Sequence, residues 1–285
     1  MNKKEKEPRE YRGVNDEIRE QQRKTKDMTL KGKLQYFWDY YRYHTLAAVF
    51  ITFMAVSLIH NVVTAKDYIF NGIMLNAYSL SSQSIETAFA EYAGLDTEKY
   101  ECFIDTSSTM SLDNHTEYEM ATGQKIVAMI QTRDLDAVVF DSEMFNNYSY
   151  NQMFCDLRNV LTEEELARHK DNLYYIEYAE IRKMEEDSDY ICPELVTPYD
   201  DRTPEGVAAE AEKHRHPENM EEPVPVGIYM ADSPFAVKSN SYFHVIPIFG
   251  IVTSSERYDT ARQYLEFLWD DTIDFSQMED TESLW

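Results

Sequence analysis

"DAVVFD", residues 136–141, is a short apolar run closed at each end by an aspartate. A continuous run of this kind, without polar alternation, is the pattern of a strand covered on both faces, as in a parallel sheet. Its neighbours fit the same layer. "DYIFNGIMLNAYS" (67–79) is β-rich and reads as a first strand, and "KYECFIDTSS" (99–108) alternates Tyr100, Cys102 and Ile104 against charged neighbours. Between them, "SIETAFAEYAGL" (84–95) places Ile85, Ala88, Phe89 and Tyr92 on one helical face, with Gly94 as a stop. "EYEMATGQKIVAMIQTRDL" (117–135) reads as a helix with Ile126, Val127 and Ile130 at helical spacing, its N-terminus placed near Asp113. Strands alternating with helices through short connections predict an α/β layer with right-handed crossovers. Strands 68–77, 100–106 and 136–141 are then parallel neighbours.

The second half carries weaker signals. Thr162 with Glu165 forms a capping box, and Leu161 with Leu166 supplies the hydrophobic staple. "NLYYIEYAEI" (172–181), "VPVGIYMADSPF" (224–235) and "SYFHVIPIFGIVTSS" (241–255) read as strands. A last helix is predicted to open at Thr253, with Glu256 completing a capping box, and to bury Tyr258, Ala261, Leu265 and Leu268. Residues 182–222 turn polar and read as a surface helix with loops or a partly disordered acidic insert. Residues 271–285 read as a loose acidic tail.

Upstream of this domain stands "LAAVFITFMAVSLIHNVVTA", residues 46–65. Twenty helical residues span about 30 Å, the thickness of a bilayer's hydrocarbon core. Thr52 and Ser57 are tolerable there because a hydroxyl can bond back to the helix's own carbonyls, and His60 and Asn61 lie near one end. "LQYFWDYYRYH" (34–44) supplies the amphipathic rings that favour the headgroup layer. Up to His44 the chain carries twelve Lys and Arg against eight Asp and Glu, a net of +4 in a protein of net −25, which leaves −29 beyond the span. Positive residues stay on the cytoplasmic side, so the expectation is a single-pass protein of the cell membrane, N-terminus cytoplasmic and residues 66–285 extracytoplasmic. Cleavage after Ala65, in the small-residue pattern "VTA", is the alternative; the 44-residue n-region it would need argues for an uncleaved anchor. Residues 1–33, rich in Lys, Arg and Glu, read as a disordered cytoplasmic tail.

Composition narrows the partners. A surface of −29 repels nucleic acid and anionic lipid, so neither is expected to bind the outer domain. Cys102, Cys155 and Cys192 are too few for a disulfide framework, and buried free thiols are expected. No G-x-S-x-G elbow, P-loop or dinucleotide glycine pattern occurs, so no catalytic residues and no cofactor are assigned. "EAEKHRHPE" (210–218) holds Glu210, Glu212, His214, His216 and Glu218. On one helix, His214 and His216 face about 200° apart and cannot share an ion, so the stretch reads as a solvated, charged helix end and no metal is assigned.

Residues 133–166, "RDLDAVVFDSEMFNNYSYNQMFCDLRNVLTEEEL", resemble a segment of bacterial extracellular solute-binding proteins. There an Asp-flanked strand, here Asp136 to Asp141, precedes a short helix and a phrase matched by Phe154, Asp156 and Leu157. "PVPVGIYMADSPF" (223–235) with "FHVIPIFGIVTSSERYDTARQYLEFLW" (243–269) is similar to the family's late strand and packing helix. The resemblance implies a periplasmic-binding-protein-like, type II-like α/β domain over residues 66–270, carried behind one transmembrane helix. It further implies capture of a small polar solute, or its delivery to a membrane transporter. Relatives of that kind are longer and have two complete jaws. The shortened second lobe supports a different reading, a ligand-free scaffold or docking subunit of a cell-envelope complex.

Ligands of open α/β folds bind at the carboxyl ends of the strands. The predicted parallel trio gathers Asn76, Tyr78, Ser107, Ser108, Asp141 and Ser142 there, with Tyr148, and beside it Tyr150, lining the cleft. These hydroxyl, amide and carboxylate groups suit a neutral, hydroxyl-rich ligand such as a carbohydrate. Asp141→Ala is then expected to weaken binding while leaving the melting temperature nearly unchanged.

Overall fold

A computed structural model describes residues 18–20, 23, 26, 28–64, 66–112, 116–195, 203–243 and 245–278. The chain divides into two units, Met1–Ala65 and Lys66–Trp285. In the first, one helix, α1 (Leu30–Thr64), runs for 35 residues. Its stretch Tyr41–His60 is long and apolar enough to cross a membrane. The aromatic segment is continuous with it, so the helix starts before residue 34, and Phe37 stacks on Tyr41 at 5.8 Å. Thr52 returns its hydroxyl to the Ala48 carbonyl at 2.8 Å, so this polar group is satisfied within the helix itself. The tail reading for residues 1–33 falls largely outside the described residues.

The second unit is a mixed α/β structure around one six-stranded sheet: β1 (Tyr68–Met74), β2 (Glu101–Asp105), β3 (Ala137–Asp141), β4 (Leu173–Glu177), β5 (Pro223–Tyr229) and β6 (Pro247–Ile251). The spatial order is β2-β1-β3-β6-β5-β4. β1 lies between β2 and β3 and is parallel to both, which is the predicted trio. The other half is antiparallel: β6 pairs β3 on one side and β5 on the other, and β4 pairs β5.

Helices cover both faces, which is why the central strands read as unbroken apolar runs. Along β1, Phe70 and Met74 face one side, with Phe89 of α2 (Ser82–Ala93) and Tyr264 and Phe267 of the late helix. Ile73 faces the other, with Ile126 of α3 (Glu117–Thr132) and Phe145 of α4 (Ser142–Tyr150). Phe145 stacks on Phe154 at 4.2 Å and lies against the backbone of β5 and β6 at two glycines. A Cβ added at Gly227 would stand 2.5 Å from the Phe145 Cζ, and one at Gly250 would stand 2.7 Å from its Cε2. Glycine is required there by close approach, not by backbone angle.

Capping chemistry sets the helix starts. Thr116 and Glu119 form a full box ahead of α3, which therefore begins after residues 113–115; these, including Asp113, lie outside the described residues. Thr162 and Glu165 form the predicted box ahead of α5 (Glu163–Arg168). Val127, expected on the buried face of α3, is 48% exposed.

Several expectations are corrected. "NLYYIEYAEI" is a strand only to Glu177, after which α6 (Tyr178–Glu186) begins. The Glu177 carboxylate caps it, accepting from the Ala179, Glu221 and Glu222 amides. The stretch 224–235 likewise ends its strand at Tyr229 and enters α8 (Pro234–Ser239), with Pro234 in the first helical turn. Within 182–222, the alternative of a helix with loops agrees with α7 (Pro204–Lys213), which buries Ala211, while residues 196–202 lie outside the described residues. The last helix, α9 (Tyr258–Leu268), opens five residues later than expected, without a side-chain cap. Its would-be capping residue Glu256 pairs instead with Arg133 at 2.6 Å. Of the predicted face, Ala261, Leu265 and Leu268 are buried and Tyr258 only partly so. The acidic tail is not loose at its start: Phe275 and Met278 are buried, and the Met278 carbonyl accepts from the Ser81 amide at 2.8 Å. The three cysteines are free, two of them buried.

Candidate functional site

The parallel trio does bring its polar groups to one edge, but they are turned on each other. Asn76, just past β1, has a left-handed φ of 59°, which asparagine tolerates better than most residues. Its amide nitrogen donates to Asp141 Oδ2 (2.7 Å) and the Met110 carbonyl (2.8 Å), while its oxygen accepts from the Met110 amide (2.9 Å). Asp141 spends its other oxygen on the Met144 amide, capping α4. Burial pushes the Asp141 carboxyl up from its ordinary pKa, against the pull of the Met144 and Asn76 hydrogen bonds.

Ser107 and Ser108, at the end of β2, are committed to Asp105. Ser107 donates its amide and hydroxyl to Oδ1, both at 2.8 Å, the Ser108 hydroxyl binds Oδ2, and Lys125 reaches Oδ2 at 2.6 Å. Burial opposes ionisation of Asp105, but the Lys125, Ser108 and Ser107 hydrogen bonds outweigh it and hold the carboxyl down at about 2. Tyr78 is 59% exposed and meets Phe243 edge-on at 5.4 Å. Tyr148 is half-buried against Phe140 at 5.5 Å, and Tyr150 is buried, its hydroxyl accepting from the Glu177 amide. Ser142 is buried in the first turn of α4 and lines a pocket, while Tyr150 lines a second cavity beside it.

That pocket lies between α4, the 3-10 turn Pro193–Leu195 and α7. It encloses about 40 Å³ among Ser142, Asn146, Tyr174, Glu194, Glu210 and His214. One water needs about 10–15 Å³ on this measure, so the space fits an ion with its water, not a sugar. A second cavity, about 430 Å³, adjoins it through Glu194 and His214 and is lined also by Tyr150, Glu177, Glu180 and Lys213.

His214 is the centre of the arrangement and corrects the sequence reading: it is 2% exposed, not part of a solvated helix end. Its Nδ1 lies 2.8 Å from the Tyr175 carbonyl, and Tyr174 stacks on the ring at 4.4 Å and 15°. A carbonyl only accepts, so Nδ1 carries the proton and Nε2 presents its lone pair. Nε2 is buried with no hydrogen-bond partner among the described residues. Burial pushes the His214 pKa below its ordinary value and keeps the ring neutral near pH 7.

The Glu194 and Glu210 carboxyls lie within hydrogen-bonding reach of each other. Burial, then Glu210, raises Glu194, whereas Lys213 and Glu194 hold Glu210 low against its own burial. Lys213 Nζ sits 2.5 Å from Glu210 Oε2. Asn146 fixes the turn by donating to the Glu194 carbonyl at 2.8 Å, and accepts from the Tyr174 hydroxyl at 2.9 Å. His216 is exposed and paired with Glu218 and Glu212; the helix ends at Lys213, so the two histidines are separated by the turn that follows it and not by helical spacing.

Glu210 and His214 were readable as an i, i+4 pair on one helix face. Glu194, sixteen residues upstream in a polar segment, gave no periodic signal that could join it to them.

Fold and site together define a mixed α/β domain with a closed strand-end cluster and a small His–Glu pocket beside it. The chain matches no protein-family model, no curated protein and no solved structure.

Proposed function

We propose that this chain is a single-pass membrane protein, N-terminus cytoplasmic, that displays an acidic α/β domain outside and acts by docking within a cell-envelope complex. The observation that carries this reading is the closed strand-end cluster: the side chains of Asn76, Asp141, Ser107 and Ser108 are all hydrogen-bonded to other groups of the protein. A solute-capturing cleft needs donors and acceptors left open to its ligand. The single six-stranded sheet also supplies one lobe where capture between jaws needs two. The orientation rests on the excess of Lys and Arg before the span and the strongly acidic domain after it.

The full chain in detergent, screened against neutral sugars, amino acids and polyamines, is expected to show no stoichiometric shift in melting temperature. A photo-crosslinking residue at the exposed Tyr78 is expected to capture a second envelope protein in cells. A saturable shift with a solute would sink the docking reading. Glu20→Cys is expected to resist an impermeant thiol reagent on intact cells, while Asp271→Cys is labelled; the opposite pattern reverses the topology.

A second reading, capture of a small polar solute for a transporter, is favoured by the 430 Å³ cavity. Its lining by Glu177, Glu180, Glu194 and Glu212 suits a cationic solute better than a carbohydrate.

A further inference from the structure

We propose that Glu194, Glu210 and His214 form a binding site for a divalent transition-metal ion of the zinc class. One ligand atom from each lies within 4.8 Å of the others. Ligands about 2.0–2.2 Å from a shared tetrahedral ion stand roughly 3.4 Å apart, so side-chain rotations of about 1 Å close the site. Both carboxylates belong to side chains that can make that movement, and the histidine does not have to move.

The histidine is already prepared as a ligand. A metal-binding imidazole characteristically donates its other N–H to a carbonyl or carboxylate, which fixes the tautomer and aims the lone pair. Here Nδ1 is held by the Tyr175 carbonyl and the ring plane is held by Tyr174. Among the described residues Nε2 is left buried and without a partner, a state that native proteins seldom leave unexplained. An ion supplies the missing partner. It also bridges two carboxylates whose oxygens lie within 4.8 Å of each other, beside Lys213.

The chemistry of the donor set selects the ion. Imidazole with carboxylates suits zinc, manganese, iron or cobalt, whereas calcium takes six to eight oxygens and no nitrogen. Three protein ligands leave a fourth position for water, and the pocket's 40 Å³ admits one. Around the ligands, Asn146 pins the turn that carries Glu194, and Tyr174 pins Asn146. Lys213 occupies one oxygen of Glu210, the place an ion's charge would otherwise fill, so it is a competitor.

The test is titration of the chelator-stripped full chain in detergent with zinc chloride by calorimetry, and with cobalt chloride by visible absorption. One ion per chain is expected, with micromolar or tighter affinity and the intense bands of four-coordinate cobalt. Glu194→Gln, at a half-buried turn, is expected to weaken binding by about tenfold or more, and His214→Gln to abolish it. Lys213→Met is expected to strengthen binding several-fold, and His216→Gln to leave it unchanged. His214→Gln alters the core, so Glu194→Gln and Lys213→Met decide the matter if that variant does not fold. Absence of saturable zinc and cobalt binding overturns the proposal. So does binding that is undiminished in Glu194→Gln or lost in His216→Gln.

Discussion

Arg257 closes on Asp136 with its Nε 3.0 Å from Oδ1 and 2.8 Å from Oδ2, at a carboxylate that is wholly buried. The same aspartate accepts from the Ser255 hydroxyl at 2.6 Å and the Asn71 amide at 2.8 Å. One side chain thus joins β1, the entrance of β3 and the loop from β6 to α9. Burial raises the Asp136 carboxyl, and the Arg257 and Ser255 hydrogen bonds oppose that.

Removing one partner of such a pair leaves the other charge without compensation. Asp136→Ala is expected to cost about 3–5 kcal/mol, measured by denaturant unfolding of the full chain. Asp136→Asn, which keeps the shape, is expected to lose less. A loss under about 1 kcal/mol for the alanine variant would show that this junction is not structural.

Asp141→Ala is expected to lower the melting temperature, contrary to the reading of Asp141 as a removable ligand contact. The carboxylate caps α4 and holds Asn76, and loss of such a cap typically costs about 1–2 kcal/mol. A melting temperature equal to that of the parent chain would return Asp141 to the list of ligand contacts.

Gly227→Ala forces a methyl into the Phe145 ring, and overpacking of this kind typically costs about 1–3 kcal/mol. Adding Phe145→Leu is expected to recover part of that loss. A double-mutant cycle with no coupling would mean that the backbone moves instead of the ring.

His169 gives a pH signature away from the His–Glu pocket. Burial, with help from Arg168, brings its pKa down from 6.5 to about 4. The folded chain therefore binds fewer protons than the unfolded chain in that interval. Its contribution to stability is complete above 6.5 and is lost as pH falls toward 4. His169→Phe keeps a ring against Trp269, whose present spacing is 4.9 Å, and removes the titration. Its melting temperature is expected to fall less than that of the parent chain over this window. Parallel curves for the two proteins would show that His169 does not carry the effect.

The parallel half of the sheet was legible because its signals are local: an apolar run between aspartates, and a glycine stop at Gly94 after the first helix, though the Thr116–Glu119 box that starts the next helix went unread. The antiparallel half was less so. Strand-to-helix switches at Glu177 and Tyr229 occur within apolar runs whose composition favours neither state, and a cap at Glu177 is decided by amides more than forty residues away. Thr253 and Glu256 have the spacing of a capping box, yet tertiary pairing of Ser255 with Asp136 and Glu256 with Arg133 displaced it. At the strand ends the residue types were readable. Their mutual satisfaction was not, because Asn76 and Asp141 meet across 65 positions of sequence. The burial of His214 follows from packing against Tyr174, which no spacing within its own helix announces.

The placement of β6 has a consequence for assembly. It is the last of the six strands in chain order, yet it lies in the middle of the sheet, between β3 and β5. Without residues 247–251 no strand ladder joins β2-β1-β3 to β4-β5, and β3 and β5 are left with open inner edges. The sheet is therefore completed through long-range pairing of its last strand with two partners at once. A chain cut short before Pro247 is expected to present two open sheet edges and to aggregate, not to form a smaller stable domain, an outcome that the solubility of a chain ending at residue 246 checks.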